Sequence, residues 1–125
     1  ELEEALGFGA KGARPRHTAS ALKALEEQQK ARAKRYQRDA IDRALTELTA
    51  YYRDVLSLQT HSGARLINPD LQQPLTSAAK ASTPETTIRH IDAILACRTA
   101  LETNVAPLLA VEAMMISLVE AQGFP

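Results

Sequence analysis

Asn104-Val105-Ala106-Pro107-Leu108-Leu109-Ala110-Val111-Glu112-Ala113-Met114-Met115-Ile116-Ser117-Leu118 is the stretch on which the fold turns. An Asn and a Pro stand at a helix start, and an almost unbroken apolar run with a single Glu follows. A helix that is apolar over most of its circumference has to be enclosed by other helices, so this segment alone implies a bundle. The rest of the composition agrees. Aromatic residues make up 4% of the chain while Ala and Leu abound, which favours helices over a β-sandwich or barrel. The expected fold class is all-α, a bundle of four to five helices with one long N-terminal helix.

The 125 residues suffice for one globular domain with a core, plus a tail. Fifteen acidic side chains balance fifteen basic ones, so no whole-molecule field recruits nucleic acid or an anionic membrane. One cysteine excludes an internal disulfide, and Cys and His residues do not cluster at zinc-ligand spacing. The chain has no apolar run of the ~18 residues needed to span a bilayer, and Glu1-Leu2-Glu3-Glu4 is unlike a signal peptide. A soluble cytoplasmic protein with no membrane partner is expected.

Residues 1–17 read as a linker or disordered tail, because Gly7, Gly9 and Gly12 interrupt any apolar face. With no initiator Met, the chain reads as a fragment of a longer protein. Residues 18–125 form the helical domain. From Thr18 to Ser62 there is neither Gly nor Pro, which predicts a continuous helix capped near Thr18 or Ser20. Thr18 to Gln59 would extend roughly 60 Å, so the helix either projects or breaks near Ala33. Its second half carries a wide apolar face from Ile41 to Leu58, whereas Ala31 and Ala33 are the only apolar residues between Leu25 and Tyr36. Gly63 is the expected left-handed C-cap, and Pro74 the start of a short helix. Ser82 and Glu85 are spaced as a capping box for the next helix, with Ile88, Ile91, Ile94, Leu95, Ala96 and Leu101 as its buried stripe. Asn104 re-caps the chain before the last helix, which runs to about Gln122.

No catalytic constellation is present, so no catalytic, cofactor-binding or metal-binding residue is assigned and no enzyme activity is expected of this chain. His17, His61 and His90 read as surface histidines, and Cys97 as a small core residue one turn beyond Ile94. Five cations, Lys30, Arg32, Lys34, Arg35 and Arg38, fall within nine residues, and Lys30, Lys34 and Arg38 stack at i, i+4, i+8. They are candidate phosphate contacts. The preferred reading is a solvated helix with local ion pairs, Glu26 with Lys30 and Asp39 with Arg43. Arg53, Asp54, Arg98, Asn104 and Glu112 sit among hydrophobic neighbours and are candidates for a structural polar network, with Asp54 and Glu112 as acceptors and Arg53 and Arg98 as donors. The last helix has more apolar surface than one core can bury. Leu109, Met114, Met115, Ile116 and Val119, together with the adjacent Tyr51 and Tyr52, are therefore candidate interface residues.

Taken in order, Tyr52-Arg53-Asp54-Val55-Leu56-Ser57-Leu58, Leu66-Ile67-Asn68-Pro69-Asp70, Arg98, and Asn104-Val105-Ala106-Pro107 through Glu112 resemble the C-terminal collar domain of bacterial DNA polymerase III clamp loader proteins. Arg53 to Leu56 and the stretch Leu22 to Arg35 are similar to the delta-prime subunit of actinobacterial type. Ala106-Pro107 departs from the Asn-Pro common in relatives but keeps the helix-start proline. The resemblance implies a collar that holds the loader's subunits together, next to an AAA+ ATPase-type module, for ATP-dependent loading of the sliding clamp in DNA replication. The parent holoenzyme would be a DNA-directed DNA polymerase. Implied partners are the gamma/tau and delta subunits through their own collar domains. Two other readings are a DNA-contacting helical module using Lys30 to Arg38, and a free-standing homo-oligomeric bundle.

Overall fold

The computed structural model describes residues 14–123. Four α-helices follow one another: α1 Arg14–Gln59, α2 Gln72–Ala81, α3 Pro84–Leu101 and α4 Pro107–Ala121. A 3-10 turn at Pro69–Leu71 leads into α2. No strand occurs among the described residues, and the fold is all-α. Helix α1 runs unbroken for 46 residues, about 69 Å at 1.5 Å per residue, so the break near Ala33 does not occur. It begins at Arg14, ahead of Thr18, so residues 14–17 are helix rather than tail. The glycine-rich stretch of residues 1–13 lies outside the described residues. The chain divides into two compact units, residues 1–40 and 41–125.

Within the first unit, every side chain from Glu26 to Asp39 is exposed, in keeping with the lack of an apolar stripe there. The core belongs to the second unit. Ile41, Leu45, Leu48 and Tyr52 recur at i, i+4, i+7 and i+11 and so line one face of α1. Leu45 meets Ile94 and Cys97 of α3 and Ala110 and Met114 of α4, all buried. Burial pushes the Cys97 thiol pKa up, opposed in part by the neighbouring Arg98 charge, as suits an inert core residue.

The buried stripe of α3 keeps Ile94 of the expected one, with Ile91 and Leu101 half-buried, but is otherwise built from other residues, and Ile88, Leu95 and Ala96 lie outside it. Thr87, His90, Ile94 and Cys97 face inward, whereas Ile88 and Leu95 are 48% and 51% exposed. Thr87 can be buried because its hydroxyl donates to Gln59 Oε1 at 2.8 Å, while Gln59 Nε2 donates to the Ala79 carbonyl at 3.2 Å. One glutamine thereby joins the ends of α1 and α2 to the start of α3. Two adjacent stripes of equal spacing cannot be ranked by apolar content once a polar one finds partners of this kind.

Three helix ends also differ from expectation. Thr83, not Ser82, caps α3, its hydroxyl accepting the Thr86 N–H at 3.2 Å. Pro84 at the first helical position holds Thr83 extended, which makes it the cap. Helix α2 starts at Gln72 because the 3-10 turn runs straight into it, leaving Pro74 within the first turn. At the end of α1, Ser62 N–H bonds the Ser57 carbonyl at 3.1 Å and His61 N–H bonds Leu58 at 3.3 Å. This is the paired geometry of a Schellman stop, in which the left-handed residue that ends the helix is His61, with φ 52°; Gly63, two residues on, is left-handed as expected, with φ 75°, but stands beyond the stop. His61→Gly is therefore expected to stabilise the domain by up to about 1 kcal/mol, measured by urea denaturation, because glycine carries no Cβ penalty there. A loss of stability would show that the left-handed conformation costs His61 nothing.

His90 is buried, 2% exposed, against the expectation of a surface residue. Its ring lies 4.7 Å from that of Tyr52, and neither ring nitrogen makes a hydrogen bond. Burial lowers its pKa below 6.5, offset in part by the Leu118 carbonyl. The folded state thus binds the proton less readily than the unfolded chain. His90 leaves stability intact above the unfolded pKa, and stability declines as pH falls below about 6.5 toward the folded pKa. His90→Phe is expected to flatten this decline in urea titrations between about pH 7.5 and 5. An unchanged slope in the variant would assign the decline to other groups.

Candidate assembly interface

Helix α4 divides into two faces. Ala110 and Met114 are buried, and Val111 and Leu118 pack half-buried against the core. Met114, an interface candidate from sequence, therefore belongs to the chain's own interior. On the other side Leu108, Leu109, Met115, Ile116 and Val119 are between 47% and 62% exposed. At 3.6 residues per turn these five fall within an arc of about 120°. Five large apolar side chains side by side on one helix form the kind of exposed patch that marks a protein contact. Leu109, Met115, Ile116 and Val119, interface candidates from sequence, all lie on this exposed face.

Glu112 lies in the middle of that arc and is exposed, so it does not join an internal polar network. Asn104 is also exposed, and the N-cap of α4 is Ala106 with no side-chain hydrogen bond. Thr103 does not cap α4 either: its hydroxyl donates to the Ala100 carbonyl at 2.7 Å and accepts the Val105 N–H at 3.4 Å, and so fastens the end of α3 and the turn after it. Arg53 is exposed on the solvent side of α1.

Asp54 and Arg98 do hold the fold, each with partners that spacing along the chain cannot suggest. The buried Asp54 carboxylate accepts the N–H of Ile67 at 2.7 Å and of Asn68 at 2.8 Å, with Asn68 Nδ2 at 3.4 Å. It pins the 66–70 loop to α1, and so links two of the sequence motifs directly. Arg98 donates to Asp42 Oδ1 at 2.7 Å and to the Thr46 hydroxyl at 2.8 Å, joining α3 to α1. Side-chain exposures of 32% and 64% make this ion pair worth no more than about 1 kcal/mol.

Tyr51 and Tyr52 are both half-buried, edge to face, with centroids 5.2 Å apart. Burial raises the Tyr52 pKa, and the adjacent Tyr51 adds to the rise. Together with Val55, Thr87, His90 and Gln122 they line a cleft of about 400 Å³ that carries no acidic or lysine or arginine side chain. The two tyrosines are therefore concave wall rather than protruding anchors. Lys30, Lys34 and Arg38 are exposed on the first unit.

Among the described residues no three His, Cys, Asp or Glu side chains are placed to hold a metal ion, and no helix is long and apolar enough to cross a membrane. The architecture is that of a helical domain with an unsatisfied outer face. No curated protein and no solved structure matches the chain. A family model described as DNA polymerase III, delta subunit, C terminal, matches residues 15–120, which take in all of α2, α3 and the Asp54-anchored loop and nearly all of α1 and α4. With well over half of its length accounted for in this way, the chain belongs to the family formed by the C-terminal domains of DNA polymerase III delta subunits, a clamp loader-related domain.

Proposed function

We propose that this chain is the collar domain of a clamp loader delta-prime subunit, of actinobacterial type, and acts by holding the loader together rather than by catalysis. The observation that carries this reading is the outer face of α4, where five apolar side chains surround one carboxylate. Removing such a face from water favours association by roughly 25 cal/mol per Å² of apolar surface, before the cost of ordering is subtracted. Glu112, central on that face, would be left desolvated on assembly and so calls for a cation or hydrogen-bond donor from the neighbour. The expected neighbours are the collar domains of gamma/tau and delta, in the cytoplasm, with ATP-driven steps carried out by ATPase-type modules. The delta-prime assignment rests on Arg53 to Leu56 and on Leu22 to Arg35.

Sedimentation of this chain alone, and mixed with gamma/tau and delta collar domains, tests the reading. A heavier mixed species is expected. A symmetric homodimer that excludes the other subunits would favour the free-standing bundle instead. Competition with the delta collar domain for one place in the assembly would overturn the delta-prime assignment and leave the family membership intact.

A further inference from the structure

The cleft beside Tyr51 and Tyr52 holds hydrogen-bonding capacity that the fold does not use. Its floor is buried, with Val55, Thr87 and His90 at most 2% exposed, whereas Ala81, Thr83 and Gln122 at its mouth are open to solvent. At about 400 Å³ it falls in the size range of small-molecule sites. Its walls are sorted by chemistry. Tyr51, Tyr52 and Val55 of α1 present rings and a branched side chain, Ala78 and Ala81 of α2 project no further than a methyl group, and Thr86 and His90, four positions apart on one face of α3, supply the polar side. Neither His90 ring nitrogen has a hydrogen-bond partner. The Thr86 hydroxyl accepts from Thr83 at 3.1 Å and keeps its own proton for another acceptor. Buried polar groups in native proteins are nearly all paired, so an unpaired one on the floor of a recess points to an occupant that pairs it.

We propose that this cleft binds an uncharged aromatic molecule carrying an amide or hydroxyl group, with its ring against Tyr51 and Tyr52 and its polar group toward Thr86 and His90. A charged ligand fits poorly, because no ionised side chain lines the cleft to offset its desolvation, and burial keeps the His90 imidazole neutral. A purely aliphatic molecule would leave the imidazole and the hydroxyl unpaired. The outer face of α4 takes no part, so the cleft stands or falls separately from the subunit-assembly reading.

Benzamide, benzoate and benzamidinium share one shape and differ in charge. Titrating each into the nitrogen-labelled 125-residue chain, followed by amide correlation spectra, tests the proposal. Benzamide is expected to bind saturably with a Kd of about 5 mM or tighter, as suits a ligand of so few atoms, and to shift the amide signals of Val55, Ala78, Thr86 and His90. Benzoate and benzamidinium are expected to bind at least about tenfold more weakly. Thr86→Val/His90→Phe is expected to weaken benzamide binding at least about tenfold while far-UV circular dichroism stays unchanged. Ala78→Phe is expected to abolish binding by filling the cleft. No saturable shift up to about 20 mM benzamide, shifts centred instead on Leu109, Met115 and Ile116 of α4, or full affinity in the Thr86→Val/His90→Phe variant would overturn the proposal. Benzoate or benzamidinium bound as tightly as benzamide would overturn the uncharged class of the ligand.

Discussion

Asp54→Ala is expected to lower the unfolding free energy by about 3 kcal/mol, enough to reduce the melting temperature of a domain this size by more than about 10 °C. The carboxylate is 2% exposed and accepts two backbone N–H groups at 2.7 and 2.8 Å. Hydrogen bonds to a charged group are worth about 1.5–3 kcal/mol each. The low end of that range applies, because Ile67 is itself exposed and its freed amide can find water. Asp54→Asn should fall between the two, since one amide oxygen replaces two carboxylate oxygens and the amide nitrogen cannot accept. Thermal and urea unfolding of the three proteins measures the series. A loss below about 1 kcal/mol for the alanine variant would mean that the 66–70 loop holds its place without Asp54.

The second large effect concerns assembly rather than stability. Leu109→Asp combined with Ile116→Asp is expected to weaken association with the other collar domains by at least about 100-fold, because each replacement removes roughly 1.5–3 kcal/mol of apolar burial and adds a charge to be desolvated. Both positions are exposed, 59% and 60%, so the unfolding free energy of the isolated domain should move by no more than about 0.5 kcal/mol per site. Met114→Ala is the contrasting variant. Its side chain is 6% exposed in the core, and its removal should cost about 2–5 kcal/mol of stability. Sedimentation of mixtures read beside urea denaturation separates the two behaviours. Wild-type assembly by the double aspartate variant would rule out the outer α4 face as the contact surface.

Adjacent residues Met114 and Met115 show how far periodicity reaches. One lies in the core and the other is 53% exposed, yet a helix apolar on nearly all sides gives no sequence signal for which is which. The orientation comes from Leu45, Ile94 and Cys97, which offer α4 one wall to pack against. The interface candidates were legible as a helix and not as a face. In α3 the more apolar stripe, Ile88 and Leu95, was the natural choice for the core, but it lies outward because Thr87 finds Gln59 and His90 packs beneath Tyr52.

The sequence by itself determined the helical class, the presence of a long α1 and the division of that helix into a wet half and a buried half, while leaving open the break near Ala33 that the structure shows to be absent. These are properties of residues within a few turns of one another: the absence of Gly and Pro from Thr18 to Ser62, and apolar spacing from Ile41 onward. Only the tertiary structure decided that Asp54 reaches Ile67 and Asn68, that Arg98 chooses Asp42 and Thr46, and which side of α4 remains open. Such contacts join residues up to 56 positions apart, and they depend on how helices are placed against one another. Local propensity and periodicity describe a helix about its own axis, whereas a hydrogen bond between helices needs both axes in position.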